Sequence, residues 1–241
     1  MPLLDHFHPP LQRERHWEGL HSQWAGSIVR SLNETVLPAG YHAEPQIRLG
    51  ADVEIDVATL EEGNGPPTTD GSVATLTYAP PGPPLVFRAD FANLDAFAVK
   101  VYDDGLRLAA AIELVSPANK DRPGHRAAFV RKCASYLQEN VALVIVDIVT
   151  SRGGNLHADL VTALAPTAAL DCGAARDDLY TVAYRPRASA TETAIDAWPQ
   201  RLEVGQPLPT LPLWIDAGLA VPIDLEQSYL EACRSLRIRT P

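Results

Sequence analysis

Residues 141–150, VALVIVDIVT, form a run that is aliphatic almost without interruption. A run of that kind is a strand covered on both faces, which requires helices packed on either side of a sheet. The chain is therefore constrained to an α/β architecture. Upstream, AFAVKVYDDGLRLAAAIELVS holds two alternating runs joined by Asp103, Asp104 and Gly105, a favoured tight turn, so a hairpin is expected with one long second strand. Residues 123–139 between that strand and the aliphatic run read as a helix. The order strand, helix, strand implies a right-handed crossover between parallel neighbours.

Other segments extend this unit. Trp17, Leu20, Trp24, Ile28, Leu32 and Val36 recur every three or four positions, the stripe of an amphipathic core helix that Pro38 ends. YHAEPQIRLG and DVEIDVATL read as a second hairpin. Residues 61–84 are crowded with Pro and Gly and read as a surface insertion, with a short strand at SVATLTY. Further on, NLHADLVTAL reads as a short helix, LYTVAYRPR as a strand and LEVGQPLPTLPLWI as a Pro-broken extended stretch. A last helix carries Leu225, Tyr229, Cys233 and Leu236. One domain over residues 1–241 is expected, with the insertion at about 61–84 and a C-terminal extension after about 190.

On the strand of residues 106–115, Arg107, Ala109, Ala111 and Glu113 point one way and Leu106, Leu108, Ala110, Ile112 and Leu114 the other. The alanines would let a helix pack closely, with Glu113 at the rim of that packing. On the earlier strand Glu54 and Asp56 share a face opposite Val53, Ile55 and Val57. At 100° per residue, His125, Phe129, Lys132 and Tyr136 fall on one side of the following helix. A lysine in an apolar stripe needs a partner, and a strand-end carboxylate is a natural one. Asp147 is the other acid that could be held inside. Carboxylates converging with a lysine suit metal-assisted phosphodiester cleavage: the acids hold Mg²⁺ through hard oxygens, and the lysine positions water or a phosphoryl oxygen. A structural ion pair would give the same pattern.

The stretch IELVSPANKDRPGHRAAFVRKCASYLQENVALVIVD resembles the core of the Uma-two family of restriction-endonuclease-like proteins, a branch of the PD-(D/E)XK nuclease superfamily. Glu113, Ser116, Pro117, Lys132, Tyr136 and Asp147 match its pattern, and EIDVAT is similar to its earlier strand, with Asp56 at the family's aspartate. Over the whole length, LPAGYHAEPQIRLG, VEIDVA and IELVSPANK look like the bacterial proteins grouped as domain of unknown function 4058. The resemblance implies a restriction-endonuclease-like mixed β-sheet flanked by helices. It also implies a site of Asp56, Glu113 and Lys132, with Asp56 and Glu113 as ligands of Mg²⁺ or Mn²⁺ and with Glu54, Ser116, Lys120, Tyr136 and Asp147 in support. The superfamily's lysine, normally two positions after the glutamate, is absent, because position 115 is Val. Lys132 takes its place, with Lys120 as the nearer alternative.

Plainer readings stand beside these. Ser116 and Asn119 suit the turn and N-cap of a helix. Lys120, Arg122, His125, Arg126, Arg131 and Lys132 form a basic cluster that could meet phosphate, but a solvated helix face accounts for it as well. The net charge of −10 repels nucleic acid at long range unless such residues gather in one patch. His6, His8, His16 and His21 match no zinc spacing, and DHFHPP reads as an ordered arm or a contact of a homo-oligomer, expected to be a dimer. Trp17 and Trp24 are core residues. Cys133, Cys172 and Cys233 are odd in number and widely spaced, as free thiols in a reducing compartment would be. The chain starts with no basic segment leading into an apolar run and has no long apolar span, so the expectation is a cytoplasmic protein with no membrane partner. Two functions follow: a metal-dependent nuclease with nucleic acid as partner, or a non-catalytic binding or assembly module on the same scaffold, in which Lys132 neutralises Glu113.

Overall fold

The computed structural model describes residues 2–49, 53–62, 78–91, 107–167, 179–189 and 192–238. The chain begins with an arm and a short helix α1 (Leu11–Glu14), followed by α2 (Trp17–Ser31), whose last turn widens into a π-helical segment (Leu32–Val36). Leu20, Trp24, Ile28 and Leu32 are fully buried, as the stripe requires. Each large apolar side chain so buried contributes about 1.5–3 kcal/mol, which makes α2 a structural helix.

Strands β1 (Tyr41–Leu49) and β2 (Val53–Glu61) form the expected antiparallel hairpin. An unexpected strand, β3 (Leu85–Ala89), follows the Pro-rich region. Next come β4 (Arg107–Leu114), a short helix α3 (Pro117–Asp121), α4 (Pro123–Gln138) and β5 (Ala142–Asp147). The chain then forms α5 (Leu156–Leu164), β6 (Leu179–Ala188), β7 (Thr193–Leu202), β8 (Thr210–Asp216), β9 (Leu219–Asp224) and α6 (Leu225–Ser235). The hairpin turn at Asp103–Gly105 and the SVATLTY strand lie outside the described residues.

Among the described residues seven strands make one mixed sheet in the order β1-β2-β4-β5-β6-β7-β3, and β8 and β9 form a separate antiparallel pair. Within the large sheet only β4 and β5 run parallel, as the strand–helix–strand order implied; the other neighbours are antiparallel. Every residue of β5 is buried, so its aliphatic run reads correctly as a strand with both faces covered. The segment set apart as a C-terminal extension supplies β7, which pairs with all ten residues of β6 and carries β3 at the sheet edge. LEVGQPLPTLPLWI is likewise more regular than expected, because Pro209 precedes β8 and Pro212 is accommodated in a ribbon that, among the described residues, has only two strands.

Helix α4 reverses into β5 within a few residues because Asn140 adopts φ 60°, a left-handed conformation that Asn tolerates well. The Val141 N–H then donates to Tyr136 O at 2.8 Å. The N-terminal arm folds onto its own chain: Leu3 is buried, its N–H donates to Gln206 O at 2.8 Å, and Asp5 Oδ1 accepts from Thr150 Oγ1 at 2.6 Å. No helix among the described residues is long and apolar enough to cross a membrane.

Candidate functional site

The β2–β4 ladder pairs Val57 with Ile112 and goes no further toward the C-terminal end of β4. At that point the Leu114 N–H donates to Asp56 Oδ2 at 2.7 Å. The aspartate side chain thus replaces a strand bond, and the two strands part around it. Glu113 is the residue just before this contact, 2% exposed. The small residues Ala109, Ala110 and Ala111 precede it on β4.

Helix α4 covers Glu113 with two side chains one turn apart. Lys132 Nζ lies 2.6 Å from Glu113 Oε2, and the Tyr136 hydroxyl donates to Oε1 at 3.0 Å. Both carboxylate oxygens are therefore engaged. Burial pushes the Glu113 pKa up, Lys132 opposes the rise and Asp56 adds to it, leaving a value of about 7. Burial works against the Lys132 ammonium, but the charge and hydrogen bond of Glu113, with Cys133 and Asp56, together raise the Lys132 pKa and hold the ammonium protonated. Tyr136 stays a phenol because burial and the Glu113 charge both raise its pKa. Cys133 is buried beside this group and is kept as a thiol by burial and by Glu113.

His21 completes the cluster. Its Nε2 lies 3.1 Å from Leu114 O and 3.3 Å from Asp56 Oδ1, both acceptors, so Nε2 carries a proton. Burial works against the imidazolium, yet Asp56, the Leu114 carbonyl and Glu113 together raise the His21 pKa. His21 fits no metal spacing in the sequence. The available signal was its position in the α2 stripe, four residues after Trp17, whose ring meets its own edge to face at 5.5 Å.

Asp147 ends β5, the parallel neighbour of β4, and is fully buried. Its Oδ2 accepts from Lys120 Nζ at 2.9 Å, with neither side chain more than 1% exposed, and Oδ1 accepts from the Val149 N–H at 3.0 Å. Tyr180, its cross-strand partner on β6, also hydrogen-bonds to it. Burial raises the Asp147 pKa against the opposing pull of Lys120. Two strand ends therefore each carry a buried carboxylate with its own lysine, and Lys120 belongs to Asp147 rather than Glu113.

Ser116 has a structural partner. The Ser116 N–H and hydroxyl reach Asn119 Oδ1 at 2.8 and 2.9 Å, a reciprocal cap that starts α3 with Pro117 in its first turn. Glu54 lies on β2 with its Cα opposite Arg48. The basic cluster is largely neutralised within the chain: Lys120 and Lys132 are paired as above, Arg126 binds Asp159 at 2.5 Å and Arg122 lies 3.5 Å from Asp121. Among the described residues no group of three or more His, Cys, Asp or Glu side chains is arranged to hold a metal ion.

The cluster offers two carboxylates in different surroundings, one held by a backbone N–H and a histidine and one, Glu113, whose pKa burial raises to about 7. A cation lies beside the second. Fold and site together define a mixed α/β protein with a helix-flanked seven-stranded sheet and an acid–lysine–histidine cluster at the end of a central strand. No protein-family model, no curated protein and no solved structure matches the chain.

Proposed function

We propose that the chain is a metal-dependent, nuclease-like protein acting on phosphodiesters, built on a restriction-endonuclease-like fold. The observation that carries this reading is the gathering of Asp56, Glu113 and Lys132 where β2 and β4 part. Their match to the Uma-two pattern supports it. Asp56 and Glu113 would hold Mg²⁺ or Mn²⁺, and two carboxylates suit an ion that retains several waters and takes further oxygens from substrate phosphate. The ion would stabilise charge on the phosphate and activate water. Lys132 would turn its ammonium from Glu113 toward a phosphoryl oxygen, while His21 and the Leu114 N–H fix the orientation of Asp56.

A second reading has its own support. Glu113 is almost fully buried, and Lys132 and Tyr136 occupy both of its oxygens. That closure suits a non-catalytic binding or assembly module in which Lys132 only neutralises Glu113. Calorimetric titration of Mg²⁺ and Mn²⁺ into the wild type and Glu113→Gln, followed by incubation with single- and double-stranded oligonucleotides, separates the two. Ion binding lost in the variant, together with metal-dependent cleavage, supports the nuclease. Absence of ion binding to the wild type, with oligonucleotide present, supports the module.

A further inference from the structure

At the opposite end of β4 from Glu113, about 20 Å away by strand rise, lies a cavity of about 290 Å³. It is walled by Arg107 on β4, Arg185 and Arg187 on β6, and Trp214 and Asp216 on β8, while Ala109 and Ala142 on β4 and β5 leave the space open. Arg107 is paired with Glu61 at 2.6 Å, and Arg187 takes both oxygens of Asp196 at 2.7 Å each. Arg185 is left the poorest match: its Nη1 stands 3.9 Å from an Asp196 already engaged by Arg187, and its Nη2 donates to the Ala217 carbonyl. Its guanidinium stacks on the Trp214 ring, 3.8 Å from the centroid, which fixes its plane.

Two donors of these wall side chains are unused among the described residues. Arg185 Nε and Trp214 Nε1 are buried and have no hydrogen-bond partner among the described residues. A buried N–H left unpaired costs free energy, and one on a guanidinium costs more, so two in one cavity point to a missing acceptor. Burial and the nearby Arg187 charge lower the Arg185 pKa, with Asp196 only partly opposing them.

We propose that this cavity binds a small phosphate-bearing molecule, Arg185 and Trp214 turning their shielded Nε and Nε1 donors toward its phosphoryl oxygens and its remainder filling the space over Ala109 and Ala142. The planar guanidinium suits phosphate, and a volume of about 290 Å³ exceeds what a bare phosphate ion fills, so an ester is favoured over the free ion. The site is independent of the Glu113 cluster.

Trp214 is a built-in reporter, with Trp198 5.9 Å from it. Ribose 5-phosphate, inorganic phosphate and acetate are titrated into the full chain, following tryptophan fluorescence and calorimetric heat. The ester is expected to bind more tightly than inorganic phosphate, with acetate weakest. Arg185→Gln and Trp214→Phe are each expected to weaken ester binding at least roughly tenfold, the loss of one charge-assisted or buried bond. Trp214→Phe keeps a ring under Arg185 and serves as the test if Arg185→Gln does not fold, with calorimetry as its readout. No binding of either phosphate, equal binding of acetate, or unchanged affinity in the folded variants overturns the proposal.

Discussion

Asp56 Oδ2 accepts the Leu114 N–H at 2.7 Å, in the place where a strand bond would have continued the β2–β4 ladder. The carboxylate therefore has an architectural task whatever else it does. Asp56→Ala leaves that N–H unpaired and removes the His21 partner, and is expected to cost about 1–3 kcal/mol. Asp56→Asn retains an acceptor for Leu114 and should cost less. Urea unfolding of the two variants measures the difference, and equal losses would show that the N–H contact contributes nothing.

Lys132 and Glu113 should be coupled through pH. The unfolded glutamate titrates near 4.5, and the folded one near 7 even with Lys132 beside it. A raised folded pKa contributes stability that is full below the unfolded value and is lost as pH rises through the folded one. Lys132→Met removes the group that opposes the rise, so the folded pKa climbs and the loss continues to higher pH. The variant should be destabilised by about 3 kcal/mol at pH 8, the scale for breaking a buried ion pair, and by much less at pH 5, where Glu113 is protonated. Chemical denaturation at both pH values checks this. Glu113→Gln combined with Lys132→Met should lose the pH dependence.

Much of this arrangement is legible in the sequence because it depends on periodicity and on the cost of burying charge. Alternation on β4 and the α4 stripe bring Glu113 to Lys132 and Tyr136 without any tertiary information. The aliphatic run of β5 likewise fixes the layering. The choice of lysine for each acid is different: Lys120 and Lys132 are both plausible partners by type, and only the short α3 with its Ser116–Asn119 cap turns Lys120 toward Asp147. The role of His21 is not legible in the sequence because its partner, Asp56, lies on another element and becomes available only where two strands part. The short β3 and the proline-bearing β8 gave no strong signal because their regularity comes from pairing partners far along the chain.

Acid sensitivity should come from His157 and His6. His157 is fully buried, its Nδ1 lies 2.5 Å from the Tyr184 hydroxyl, and burial pushes its pKa down to about 4; burial does the same to His6 beside Tyr229. A depressed folded pKa contributes stability that is full above the unfolded value of 6.5 and is lost as pH falls toward 4. His157→Phe removes one such titration. Its stability relative to wild type should therefore improve by about 3 kcal/mol between pH 7 and pH 4, from about 1.4 kcal/mol per pH unit per proton. Denaturant unfolding at the two pH values measures the change, and a constant difference would exclude His157 as an acid-labile group.

Gly154 joins backbone conformation to the basic face of α4. Its φ is 108°, outside the range comfortable for L side chains, and a Cβ there would run into the Arg126 guanidinium. That guanidinium holds Asp159 in the first turn of α5 through Nε at 3.0 Å and Nη2 at 2.5 Å. Gly154→Ala must therefore strain the backbone and displace Arg126, which combines a conformational cost of about 1–3 kcal/mol with a weakened ion pair. Arg126→Ala clears the space while leaving the backbone strain. If both effects operate, Gly154→Ala will cost measurably less in the Arg126→Ala background than in the wild type, a comparison that thermal unfolding of the four proteins of that cycle resolves. An unchanged cost would place the whole penalty in the backbone and none in the arginine.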